Sequence, residues 1–163
     1  MMALDVSENT YRAFNQRYWL AATLVVFFGA SVLVYMLIAR LLTLQVEFDP
    51  TRNWRSILSI AALVIGVGVV ALRRLMMSKV VLQSVAKRGT GAVLSRLTTT
   101  SIVCAALGEV IGILGLVGYI RTGELDFSTQ MGLISLLIIA YSFPRRGEWQ
   151  RAVAESERPD VVK

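Results

Sequence analysis

Histidine is absent from this chain, and cysteine occurs once, at Cys104. These two absences remove Ser-His and Cys-His nucleophile arrangements, any cysteine-built zinc site and any intrachain disulfide. Phosphate-cradling loops are missing as well. "GVG" at 66–68 and "GTG" at 89–91 lack the further glycines and the strand-to-helix setting of a P-loop or dinucleotide fingerprint. Gly89 and Gly91 instead punctuate a turn, with Thr90 as a local cap. Charge is scarce too, at 17% of residues. The carboxylates that could hold a metal, Glu124 and Asp126 in "RTGELD", sit next to Arg121 and suit a solvated turn at a helix start better than a metal site. The expectation is a non-catalytic chain with no cofactor and no metal.

What the chain has instead is apolar length. Hydrophobic residues make up 55% of it and its mean hydropathy is +0.61, beyond the range of an ordinary soluble domain. They gather into "YWLAATLVVFFGASVLVYMLIA" (18–39), "ILSIAALVIGVGVVAL" (57–72), "LTTTSIVCAALGEVIGILGLVGYI" (97–120) and "FSTQMGLISLLIIAYSF" (127–143). A spanning helix needs about 20 such residues. The first and third blocks suffice alone, and the second and fourth lengthen into 57–76 and 125–143 through snorkelling Arg73 and Arg74 and through Leu125. No stretch alternates with period two as a membrane barrel requires, which disfavours strands. The fold class expected is all-α, a polytopic bundle of four transmembrane helices at 18–39, 57–76, 97–120 and 125–143, between tails 1–17 and 144–163. The first block, 22 residues long and without a small-residue cleavage signal, is expected to be a retained span anchored by Arg12, Arg17, Tyr18 and Trp19.

The basic residues fall unevenly between the blocks. Two lie in 1–17, six in 73–96 and five after 143, against three in 40–56 and one in 121–126. The positive-inside rule then puts both termini and the 73–96 loop on the cytoplasmic side of what would be a bacterial inner membrane. Glu47, Asp49, Glu124 and Asp126 occupy the opposite side. Orientation accounts for the net charge of +6, so no nucleic-acid partner is expected. "RRLMMSKVVLQSVAKR" could also carry anionic lipid on a helix that continues past the membrane. In the C-terminal tail, "GEWQRAVAESER" suits a short amphipathic surface helix with Trp149 and Val153 four apart, and the final residues are expected to be disordered.

Two features of the third block bear on function. Ser101, Ala105, Gly108, Gly112 and Gly115 recur at spacings of four and three, a single nearly smooth helix face. In lipid, such faces let backbones approach closely, either within the chain or between copies. Glu109 borders that face, because Ala105 and Gly112 are its neighbours on adjoining turns. It is the thirteenth residue of its block, near the bilayer midplane, where an ionised acid costs at least several kcal/mol. A neutral, hydrogen-bonded carboxyl pointing into protein is expected. Ser31, Tyr35 and Ser135 are available as uncharged partners at roughly matching depth, while Cys104 should serve as a small apolar residue.

"ALGEVIGILGLV" resembles the carboxylate helix of the c subunits, or proteolipids, of rotary ATP synthases and vacuolar-type ATPases, through Glu109, Ile113, Gly115, Leu116 and Val117. The resemblance implies that Glu109 would carry a proton or sodium ion. It departs from the family pattern at Leu114, where an aromatic is usual, and in placing the acid in the third block. Two roles follow: a small subunit or assembly partner of a membrane complex acting through helix packing, or an ion-binding, proteolipid-like protein using Glu109.

Overall fold

The computed structural model describes residues 2–42 and 53–156, and among these every regular element is helical. In chain order they are α1 (Met2–Leu41), α2 (Trp54–Met76), α3 (Lys79–Ala86), α4 (Thr90–Thr122), α5 (Leu125–Ser142) and α6 (Arg146–Ser156). Four stretches are long and apolar enough to cross a membrane: Thr10–Leu41, Trp54–Met76, Thr90–Thr122 and Leu125–Ala154, the last interrupted between α5 and α6. The protein is an all-α chain with the helices of a multi-pass membrane protein.

Local chemistry sets most of the boundaries. The Asn53 side chain caps α2 by accepting from the Ser56 backbone N–H at 3.5 Å. Gly123, at φ +69°, closes α4 in the left-handed conformation with its N–H on the Tyr119 carbonyl at 2.8 Å. Phe143 caps α5, and Pro144 just beyond it cannot continue the helix. Gly89, at φ +97°, begins α4. The spans alternate in direction, which brings the N-terminal half of α1, the C-terminus of α2, the start of α4 and the end of α5 to one end of the bundle, together with α3 and α6.

The segment 1–17 is helical from Met2 and runs unbroken into the first span. Two expectations need correction here. The 73–96 segment is no single helix continuing past the membrane: α2 stops at Met76, Met77 and Ser78 break the chain, and α3 starts anew. The "GEWQRAVAESER" helix forms, as α6, but its apolar pair does not face outward. Trp149 and Val153 are buried against Phe14, Ala21, Val93, Leu94 and Leu97. The rings of Phe14 and Tyr18 meet Trp149 edge-on, at 6.4 and 5.8 Å between centroids. Packed on two aromatics and four aliphatic side chains, the indole closes the bundle end. Glu47, Asp49 and the expected disorder of the final residues lie outside the described residues.

Below that cluster, Val25, Val32, Ala105 and Ile139 form the middle of the core, and Leu58, Ala62, Ile111, Phe127 and Met131 its far end. α4 runs through all three layers and touches every other helix. Its face is therefore the natural place to look for a site.

Candidate functional site

Each hydroxyl in an apolar helix must find an acceptor, and most find one in their own backbone. Thr98, Thr100 and Ser142 donate four residues back, to the carbonyls of Leu94, Arg96 and Ile138 at 2.8–2.9 Å. The side chains that cross between helices are fewer. Tyr119 of α4 donates to the Leu42 carbonyl at the end of α1, and Ser135 of α5 donates to the Gly108 carbonyl at 2.7 Å. Two more, both from α1, converge on the carboxyl of Glu109.

Tyr35 donates its phenolic proton to Glu109 Oε1 at 2.9 Å, and the Ser31 hydroxyl meets the same oxygen. Ser31 and Tyr35 are four apart, so one face of α1 presents both. All three residues are half-buried at the seam between α1 and α4. Ser31 Oγ also lies 2.8 Å from the Phe28 carbonyl. A hydroxyl has one proton, so it can donate to Phe28 or to Glu109 but not to both. If it donates to Phe28, the Glu109 carboxyl supplies the proton of the Ser31–Glu109 bond and is neutral. If it donates to Glu109, the acid can be charged and the Phe28 contact is given up. The geometry around Ser31 thus accommodates either hydrogen-bond arrangement.

The small face adjoins this cluster, and its five expected residues, Ser101, Ala105, Gly108, Gly112 and Gly115, are all buried. Its occupants come from the same chain. A Cβ on Gly108 would stand 2.9 Å from Ile139, one on Gly112 3.0 Å from Val32, and one on Gly115 2.7 Å from the Met131 Cβ. Glycine is what lets α1 and α5 come this close to α4. Close packing within the chain thus uses the face on which contact between copies had been an alternative.

The structure brings Glu109 together with Ser31 and Tyr35, and leaves Ser135 to Gly108. Glu124 is drawn into a salt bridge with Arg55 at 3.3 Å. Among the described residues no group of three or more acidic, histidine or cysteine side chains is close enough to hold a metal. Cys104 is fully buried. Sequence reasoning missed Gly118, which receives the Phe127 ring, and Gly132 of α5, whose Cα leaves room for Met36 of α1. Gly118 continues the three-and-four spacing beyond Gly115, a signal that was present in the sequence.

No family model, characterised protein or solved structure matches this chain.

Proposed function

We propose that the protein is a non-catalytic multi-pass protein of a bacterial inner membrane, with both bundle termini on the cytoplasmic side, that serves as a small subunit or assembly partner of a membrane complex. In this reading Glu109 is a clasp that fixes α1 to α4. The observation that carries it is the convergence of Ser31 and Tyr35, two residues of one helix, on a single carboxyl oxygen of another. Because the small face of α4 is taken up within the chain, a partner would meet the outward faces of α1 and α2, where Phe27 and Ile60 are each more than half exposed.

One observation favours a second reading. Glu109 is half-buried at a seam, not sealed, and the Ser31 hydroxyl offers a switchable proton partner. These features suit a reversible proton or sodium site, as the proteolipid resemblance implies. Glu109→Gln separates the two readings, since glutamine keeps the size and the hydrogen bonding of a neutral carboxyl but releases no proton. For a clasp, the glutamine variant folds and assembles like the parent, and the parent shows no proton or sodium flux in proteoliposomes. Flux in the parent that Glu109→Gln abolishes, together with cation-suppressed labelling of Glu109 by a hydrophobic carbodiimide, would establish ion exchange instead.

A further inference from the structure

At the end of the bundle that carries α3 and α6, a pocket of about 480 Å³ opens between α2, α5 and α6. Four arginines line it, Arg73, Arg74, Arg145 and Arg151, and Glu148 is the single acid among its lining residues. That carboxylate is already shared, at 3.6 Å from Arg73 and 3.4 Å from Arg145. Arg74 has no ion pair among the described residues. Arg73, its side chain only 12% exposed, stacks its guanidinium over the Tyr141 ring at 4.7 Å, and its Nη1 is buried without a hydrogen-bond partner. A buried, unpaired guanidinium nitrogen is costly unless an acceptor reaches it.

A second cavity shares one lining residue, Arg74, with this one. Between α2 and α5 runs a groove of about 970 Å³, walled by Gly66, Val67, Val70, Ile134 and Ile138 and bounded by Arg74, which lines both spaces. Along α2 it extends from Ser59 to Leu75, about 24 Å at the helical rise per residue. One leaflet's hydrocarbon is about 15 Å deep. The groove is long enough for an acyl chain, lies in membrane-length segments, and meets at Arg74 a pocket whose guanidiniums suit phosphate oxygens.

We infer that the two cavities form one binding site for an anionic glycerophospholipid, the phosphate held by Arg73, Arg74 and their neighbours from α6, and an acyl chain laid between α2 and α5. A soluble phosphate would use only the basic half. A zwitterionic lipid would bring its own cation among four arginines. The expected lipid patch at 73–96 is thereby narrowed to its first two arginines, and the remaining ligands come from the far end of the sequence. The site does not depend on the role of Glu109.

Native mass spectrometry of the purified full chain in neutral detergent tests this, with phosphatidylglycerol, phosphatidylcholine and inorganic phosphate as probes. Phosphatidylglycerol is expected to be retained at least about tenfold more strongly than phosphatidylcholine and to resist excess phosphate. Arg74→Gln should weaken it about fivefold, the weight of one basic residue near an anionic headgroup. Val67→Trp, at an exposed position on the groove wall, should weaken it comparably without any change of charge, whereas Leu37→Trp, equally exposed on α1 and outside the groove, should not. Circular dichroism of each variant confirms that the helices persist. Equal retention of both lipids, or indifference to Arg74→Gln, would overturn the proposal. So would displacement by phosphate with Val67→Trp silent, which would reduce the site to an anion pocket.

Discussion

α2 and α4 are both apolar helices of membrane-spanning length, yet 44% of the most apolar window of α4 is buried inside the protein and only 17% of that of α2. Hydrophobicity does not separate them, because lipid receives a leucine as readily as a protein core does. What separates them is where side chains are missing. Gly108, Gly112, Gly115 and Gly118 of α4 each have a neighbouring helix at van der Waals distance, whereas Gly68 of α2 faces open space and Gly66 meets only the tip of Ile138. α4 also holds the carbonyl and carboxyl that receive hydroxyls from α5 and α1. A helix of this bundle becomes central through close approach and hydrogen bonding, and peripheral through their absence.

The sharpest way to break that comparison is to put the same side chain on a glycine of each helix. Gly112→Leu should cost about 3 kcal/mol or more, because Val32 and the Ser135 hydroxyl leave no room for it. Gly68→Leu should stay within about 0.5 kcal/mol. Detergent-titrated unfolding followed by circular dichroism measures both, and equal losses would remove the case for a glycine-built interface. Next in size is the clasp. Glu109→Leu should lose about 1 to 3 kcal/mol by leaving Ser31 and Tyr35 without their acceptor, and Glu109→Gln less than about 1.

Single hydroxyls should matter less. Tyr35→Phe and Ser135→Ala each remove one bond to α4, and about 0.6 kcal/mol, at most about 1.7, is the usual value inside a membrane. A double-mutant cycle between Tyr35→Phe and Glu109→Gln should show coupling of that order, while a cycle between Ser135→Ala and Glu109→Gln should show none beyond error. The smallest effect belongs to the outward face of α2. Ile60→Ala and Leu63→Ala, both at positions more than 60% exposed, should leave the unfolding midpoint nearly unchanged in detergent. A loss of several kcal/mol at either would mean that α2 is not peripheral but covered by a second chain.

Much of this was legible in the sequence for physical reasons that act locally. Four apolar runs became four membrane-length helices, and the even number of crossings brings the three arginine- and lysine-rich segments to one end. The three-and-four spacing from Ser101 to Gly115 marked the buried face of α4, and the position of Glu109 beside it placed the carboxyl at a helix seam. Less local features escaped. The break at Met77 and Ser78 was missed, although Ser78, the N-cap of α3, is a residue type that favours a helix start. Arg73 and Arg145 are 72 positions apart, and only the antiparallel return of α5 makes them neighbours. Phe127 and Met36 carry no mark of the glycines that receive them, since complementarity between a ring and a gap exists only after two helices have met.

The docking of Trp149 on Phe14 and Tyr18 also constrains the order in which this molecule can be made. Those two rings are synthesised before any later span, and the indole only after the last of the four. Until it arrives, the start of α1 lacks its cover, so the first helix to be synthesised is among the last to be locked in place. A chain halted before residue 149 would carry every span and still present an open aromatic seat, a surface that quality-control factors sensing exposed apolar groups could tell from the finished fold.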